Sequence, residues 1–177
     1  MAAVVFFRAV NVGGHQAFKP GSLAKDLAEF GVVNLGAAGT LVVREPVAPA
    51  RLRDEILRRL PFEPELMICG ARDVLALAHG SWFDDAAAGE GVGQFVSVLS
   101  TTPRALPRLP LEQPAGGNWE VRIIAIVGQF VLSVRRLGQT YSNAVVEKQL
   151  GISATTRNWN IIERLRQILE PGSRSRT

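Results

Sequence analysis

Six short segments near the start of the chain place the strongest limit on its fold. Val4 to Val10 is apolar, rich in β-branched and aromatic residues, and reads as a buried strand. Asn11-Val12-Gly13-Gly14 breaks it. Ser22 then opens a helix in which Leu23, Leu27 and Phe30 recur at i, i+4 and i+7, with Gly31 at the expected stop. Val32 to Leu35 and Leu41 to Arg44 read as two strands around the turn-like Gly36-Ala37-Ala38-Gly39. Pro49 to Leu60 is a second helix with the stripe Leu52, Ile56, Leu60 and the acid-first pairs Asp54–Arg58 and Glu55–Arg59. Pro61 ends it, and Glu65 to Cys69 is another strand. Strand, helix, strand, strand, helix, strand is the split β-α-β pattern of a ferredoxin-like unit, complete within residues 1–70.

Residues 71–170 form a less regular second α+β part. Arg72 to His79 is a short helix stopped by Gly80. Residues 81–93, with Gly89, Gly91 and Gly93, read as a surface loop, and Gln94 to Ser100 as a strand. Pro103, Pro107, Pro110 and Pro114 space out an irregular stretch. Trp119 to Val127 and Phe130 to Val134 flank Gly128-Gln129, a two-residue hairpin turn. Ser142 to Leu150 is a helix with a Ser cap and Gly151 at its stop. Asn158 to Leu169 is the last helix, striped by Ile161, Ile162, Leu165, Ile168 and Leu169. Residues 171–177 read as a frayed tail.

Composition narrows the function classes. With 47% hydrophobic and 20% charged residues the chain is of the folded, globular type. The single cysteine, Cys69, cannot form an internal disulfide, and its place in Leu66-Met67-Ile68-Cys69 suits a buried small hydrophobe. His15 and His79 lie far apart, so no structural zinc site and no cofactor are expected. Asp84, Asp85 and Glu90 read as solvated carboxylates of a glycine-rich loop rather than metal ligands. No apolar run reaches the roughly 18 residues of a membrane span, and no signal peptide is evident. The expectation is a soluble cytoplasmic protein without a membrane partner. Charge is uneven: residues 118–177 hold nine basic and four acidic side chains, net +5, against −1 for the rest. That excess suits an anionic partner or is ordinary solvated charge.

The segment Ala154-Thr155-Thr156-Arg157-Asn158-Trp159-Asn160 carries the most chemistry. It is expected to open a helix, where free backbone N–H groups attract anions. Arg157 there opposes the helix dipole by roughly 0.3–1 kcal/mol. Helical phase would place Arg157, Asn160 and Arg164 on one side. A guanidinium, an amide and free N–H groups suit a phosphate or carboxylate. The plainer alternative pairs Arg157 with a structural carboxylate, lets Trp159 fill a crevice, and leaves Asn158 and Asn160 as caps, Asn160 with Glu163 resembling a capping box. The Gly13-Gly14 turn permits close approach of a ligand to the backbone but matches no nucleotide fingerprint. Arg8 beside it is a second anion contact or a strand-end charge.

These segments resemble a bacterial family, the domain of unknown function 1697. The matching stretches are Phe7-Arg8-Ala9-Val10-Asn11-Val12-Gly13-Gly14 and Glu147-Lys148-Gln149-Leu150-Gly151 through Thr155-Thr156-Arg157-Asn158-Trp159-Asn160, and the likeness spans roughly residues 3–170. Ala9 stands where members carry a glycine, Ala37-Ala38-Gly39-Thr40 where they carry Gln-Ser-Gly-Asn, and Gly138-Gln139-Thr140-Tyr141 lacks their lysine. The resemblance implies an α+β fold of two ferredoxin-like subdomains and no established activity. The first functional expectation is binding of an anionic small ligand by Arg8, Asn11, Gly13, Gly14, Arg157, Asn158, Trp159 and Asn160. The alternatives are a nucleic-acid-binding module using the basic C-terminal third, and a small transferase or hydrolase with Glu147 or Lys148 as acid or base.

Overall fold

The computed structural model describes residues 2–8, 19–83, 91–136, 138 and 143–170. In chain order the elements are β1 (Ala3–Arg8), α1 (Pro20–Asp26), a 3-10 turn (Ala28–Phe30), β2 (Val32–Asn34), β3 (Thr40–Val43), α2 (Pro49–Leu57), β4 (Glu65–Gly70) and α3 (Ala71–Ala78). There follow β5 (Val92–Leu99), β6 (Leu111–Gln113), β7 (Val121–Val127), β8 (Phe130–Arg136), α4 (Ala144–Leu150), β9 (Ala154–Asn158) and α5 (Trp159–Leu169). The fold is α+β, with two antiparallel sheets. Described residues within Met1–Ala78 and Glu163–Thr177 form one compact unit, and those within His79–Ile162 a second. The expected tail and the carboxylates Asp84, Asp85 and Glu90 lie outside the described residues. No described helix is long and apolar enough to cross a membrane.

The first sheet runs β2-β3-β1-β4, the strand order of the ferredoxin-like pattern. Period-two alternation puts Ala3, Val5 and Phe7 of β1 with Leu41, Val43 and Leu66 in one core, closed by Leu23, Leu27 and Phe30 of the α1 segment and Leu52 and Ile56 of α2. Side chains of that size, fully buried, each contribute about 1.5–3 kcal/mol. Two local details differ from expectation. Pro20, not Ser22, begins α1, because proline at the first helical position needs no partner for an N–H. Arg58 pairs with Glu55 rather than with Asp54, so Glu55 receives both Arg58 and Arg59. Arg59 also donates to the Asp26 carbonyl at the end of α1 (3.1 Å) and to Glu29 (3.2 Å), tying the two helical segments together. Arg53 covers the outer edge of β4 by donating to the Leu66 carbonyl (3.0 Å).

The second sheet runs β6-β7-β8-β5-β9. Its strands β9, β5, β8 and β7 repeat the ferredoxin-like order, with α4 as one crossover helix. The other crossover helix is replaced: all of residues 100–120 are described, and they hold the added edge strand β6 and no helix. Proline at 103, 107, 110 and 114 accounts for this, since it removes N–H donors and clashes with a preceding turn. Gly128 takes φ +57° at the first position of the β7–β8 loop, a conformation other residues adopt with strain. Leu99, Ile123, Val131, Val146 and Ala154 form the core between this sheet and α4.

Two tests follow. Hydrogen bonding from Arg59 holds Glu55 below its ordinary value of 4.5. Its contribution is therefore present above about pH 4.5 and is lost as pH falls through the folded-state value. Glu55→Gln should lower the melting temperature at pH 7, and the gap to the parent protein should narrow in melting curves taken at successively lower pH below 4.5. Burial, with Asp73 nearby, pushes the Cys69 thiol up to about 12. Iodoacetamide at pH 8 should leave native Cys69 unmodified and label it fully in denaturant, read by intact mass.

Candidate anion site on strand β9

Arg157 does not open a helix. Residues 154–158 extend as β9, and α5 begins only at Trp159. Pairing with the interior strand β5 outcompetes the local helix signal, because it aligns five residues from Phe95–Asn158 to Leu99–Ala154. The dipole penalty and the helical phase linking Arg157 to Arg164 therefore do not apply.

Register decides what each side chain of the motif faces. Val96 lies opposite both Leu132 and Arg157, so these share one face with Thr155, two residues along. The Arg157 guanidinium donates through Nη1 to Thr155 Oγ1 (2.8 Å) and to the Thr156 carbonyl (3.0 Å). It is 8% exposed. Burial pulls its pKa down to about 10, so it keeps its charge at neutral pH. Thr156 points the other way, donates to Asn143 Oδ1 (2.7 Å), and lies 2.7 Å from Ser97 Oγ. A hydroxyl has one proton, so Ser97 must donate to Thr156. The three residues join β5, β9 and the start of α4.

The remaining candidates have separate places. Asn158 is the helix cap: its Oδ1 accepts from the Asn160 amide (2.9 Å). The Asn160–Glu163 capping box is thus not used, and Glu163 pairs with Arg166 instead (3.2 Å). Trp159 packs edge-to-face on Phe83, ring centroids 5.1 Å apart. Arg157, Asn158, Trp159 and Asn160 lie together at the β9–α5 junction of the second unit. Arg8 belongs to the first unit, at the end of β1, and forms an ion pair with Glu65 across the strands (3.4 Å). Asn11, Gly13 and Gly14 lie outside the described residues. Glu147 accepts from the Ala154 amide (2.9 Å) and so anchors the start of β9; Lys148 is exposed.

A second buried guanidinium, Arg135 at 0% exposure, went unread in the sequence. It pairs in register with Gly93 and lies over the Phe95 ring at 5.2 Å, on the face opposite Arg157. The signal for it is strand alternation: in Arg135-Arg136 one side chain must turn inward. Among the described residues no group of three metal-ligating side chains comes together.

No family model matches the chain, and no curated protein matches it. Among solved structures it is similar to the conserved bacterial protein SP0830 from Streptococcus pneumoniae, with 16% sequence identity and a TM-score of 0.60. The match covers 96% of this chain and 98% of that one, so the fold is shared along nearly the whole length.

The Glu147 anchor gives a direct test. Glu147→Ala should destabilise by roughly 1–2 kcal/mol in urea denaturation, the cost of leaving the Ala154 amide without its acceptor. Glu147→Gln, which keeps an oxygen there, should cost less.

Proposed function

We propose that the protein binds a small anion, a phosphate or carboxylate, through Arg157 at the β9–α5 junction. The observation that carries this reading is that the Arg157 guanidinium is almost fully buried yet charged, and is oriented by Thr155 and the Thr156 carbonyl. A guanidinium already held in place matches the shape of a carboxylate or phosphate, and holding it costs little further side-chain entropy. We also read the chain as a member of the domain of unknown function 1697, on the Thr155-Thr156-Arg157-Asn158-Trp159-Asn160 motif.

The basic C-terminal third offers less to a nucleic acid than its net charge suggests. Arg135 and Arg157 are buried, Arg122 is held by Glu112 at 2.6 Å, and Arg166 is held by Glu163 and Glu170. A duplex needs several solvent-facing cations along its backbone. The acid–base reading of Glu147 is weakened by its hydrogen bond to the Ala154 amide.

A thermal-shift panel of inorganic phosphate, nucleotides, sugar phosphates, carboxylates and short oligonucleotides, at two salt concentrations, tests the proposal. A ligand at 100 times its dissociation constant should raise the melting temperature by roughly 5–10 °C. Arg157→Lys should fold and keep the charge but lose most of that shift, because the paired donors are gone. A shift in Arg157→Lys and Arg157→Ala as large as that of the parent protein would sink the proposal. A shift confined to oligonucleotides at low salt would replace it with the nucleic-acid reading.

A further inference from the structure

A surface groove of about 660 Å³ opens on the second unit, where the segment after β5 faces the end of α4. Its volume is in the range of small-molecule sites. Thr101, Thr102, Arg104 and Gln149 supply its polar groups. None of these four side chains hydrogen-bonds to a described residue. Arg104 is the one charged residue of the lining, so the groove carries a formal +1. Its floor includes Leu150 and Ile152, which pack against the Leu99–Ile123–Val131 core. Leu106, 61% exposed, stands on its rim.

We propose that this groove binds a soluble organic carboxylate with an apolar tail. One guanidinium neutralises one carboxylate and matches its two oxygens. Threonine hydroxyls and the Gln149 amide can donate to the same group. The carbonyl end of α4 repels an anion, which directs the carboxylate toward Arg104 and lays the tail over Leu150, Ile152 and Leu106. A single cation suits a monoanion better than a phosphate dianion. The site is distinct from the one at Arg157: it needs an apolar body on its ligand.

Isothermal titration of the full chain with butanoate, hexanoate and octanoate, and with 1-hexanol as the uncharged control, tests this. The dissociation constant should fall about fourfold per added CH₂, and hexanoate should bind roughly fivefold tighter than hexanol. Arg104→Gln should erase the difference between acid and alcohol, and Leu106→Ser should weaken octanoate more than butanoate. Both side chains are exposed, so both variants should keep the parent circular dichroism spectrum. Arg157→Lys should leave alkanoate binding unchanged, which separates this proposal from the preceding one. The proposal is overturned if octanoate shows no saturable binding, or if Arg104→Gln binds it as the parent does. Loss of alkanoate binding in Arg157→Lys alone would likewise overturn it and assign the ligand to β9.

Discussion

Pairing of β9 with β5 is the constraint on which the candidate site depends. Five consecutive residues of β9 are held by β5, an interior strand of the second sheet. That ladder sends Thr155 and Arg157 to one face and Thr156 to the other. A shift of one residue would exchange the two sets and bury Thr156 where the guanidinium now lies. The ladder is secured from α4 at two points: Glu147 accepts from the first amide of β9, and the Ser97–Thr156–Asn143 chain crosses to the start of the helix.

The second sheet buries a guanidinium on each of its faces, Arg157 on one and Arg135 on the other. Removing such a group from water costs several kcal/mol, so each has to be held by specific contacts. Thr155 and the Thr156 carbonyl do this for one, and the Phe95 ring and Ser133 (3.4 Å) stand beside the other. Both arginines lie on the ferredoxin-like strands of the second unit, β8 and β9. The departure from that pattern, the segment of residues 100–120, builds one wall of the surface groove instead.

The two halves of the chain differ in how much could be read in advance. In the first unit, apolar periods of two and of 3.6 residues followed one another in clean order, and the β-α-β-β-α-β pattern stood out; the observed sheet order agrees with it. In the second half the prolines marked an irregular stretch, but β6 between them was not legible: three residues, Leu111 to Gln113, are too few to show alternation. The capping arithmetic also failed locally. Asn158 and Asn160 both suit a cap, and only the strand before them decides that Asn158 takes the role.

By itself the sequence determined the α+β class and the positions of most strands and helices, because these depend on local periodicity, glycine and proline chemistry, and residue type. Tertiary structure alone decided that Arg157 belongs to a strand, that Arg135 is buried on the opposite face, and that Glu147 serves the Ala154 amide. Each of these depends on a partner distant in sequence: β5 for β9, Phe95 for Arg135, and a strand seven residues on for Glu147. Local propensity is worth a few tenths of a kcal/mol per residue, so the hydrogen bonds and packing of a five-residue ladder override it.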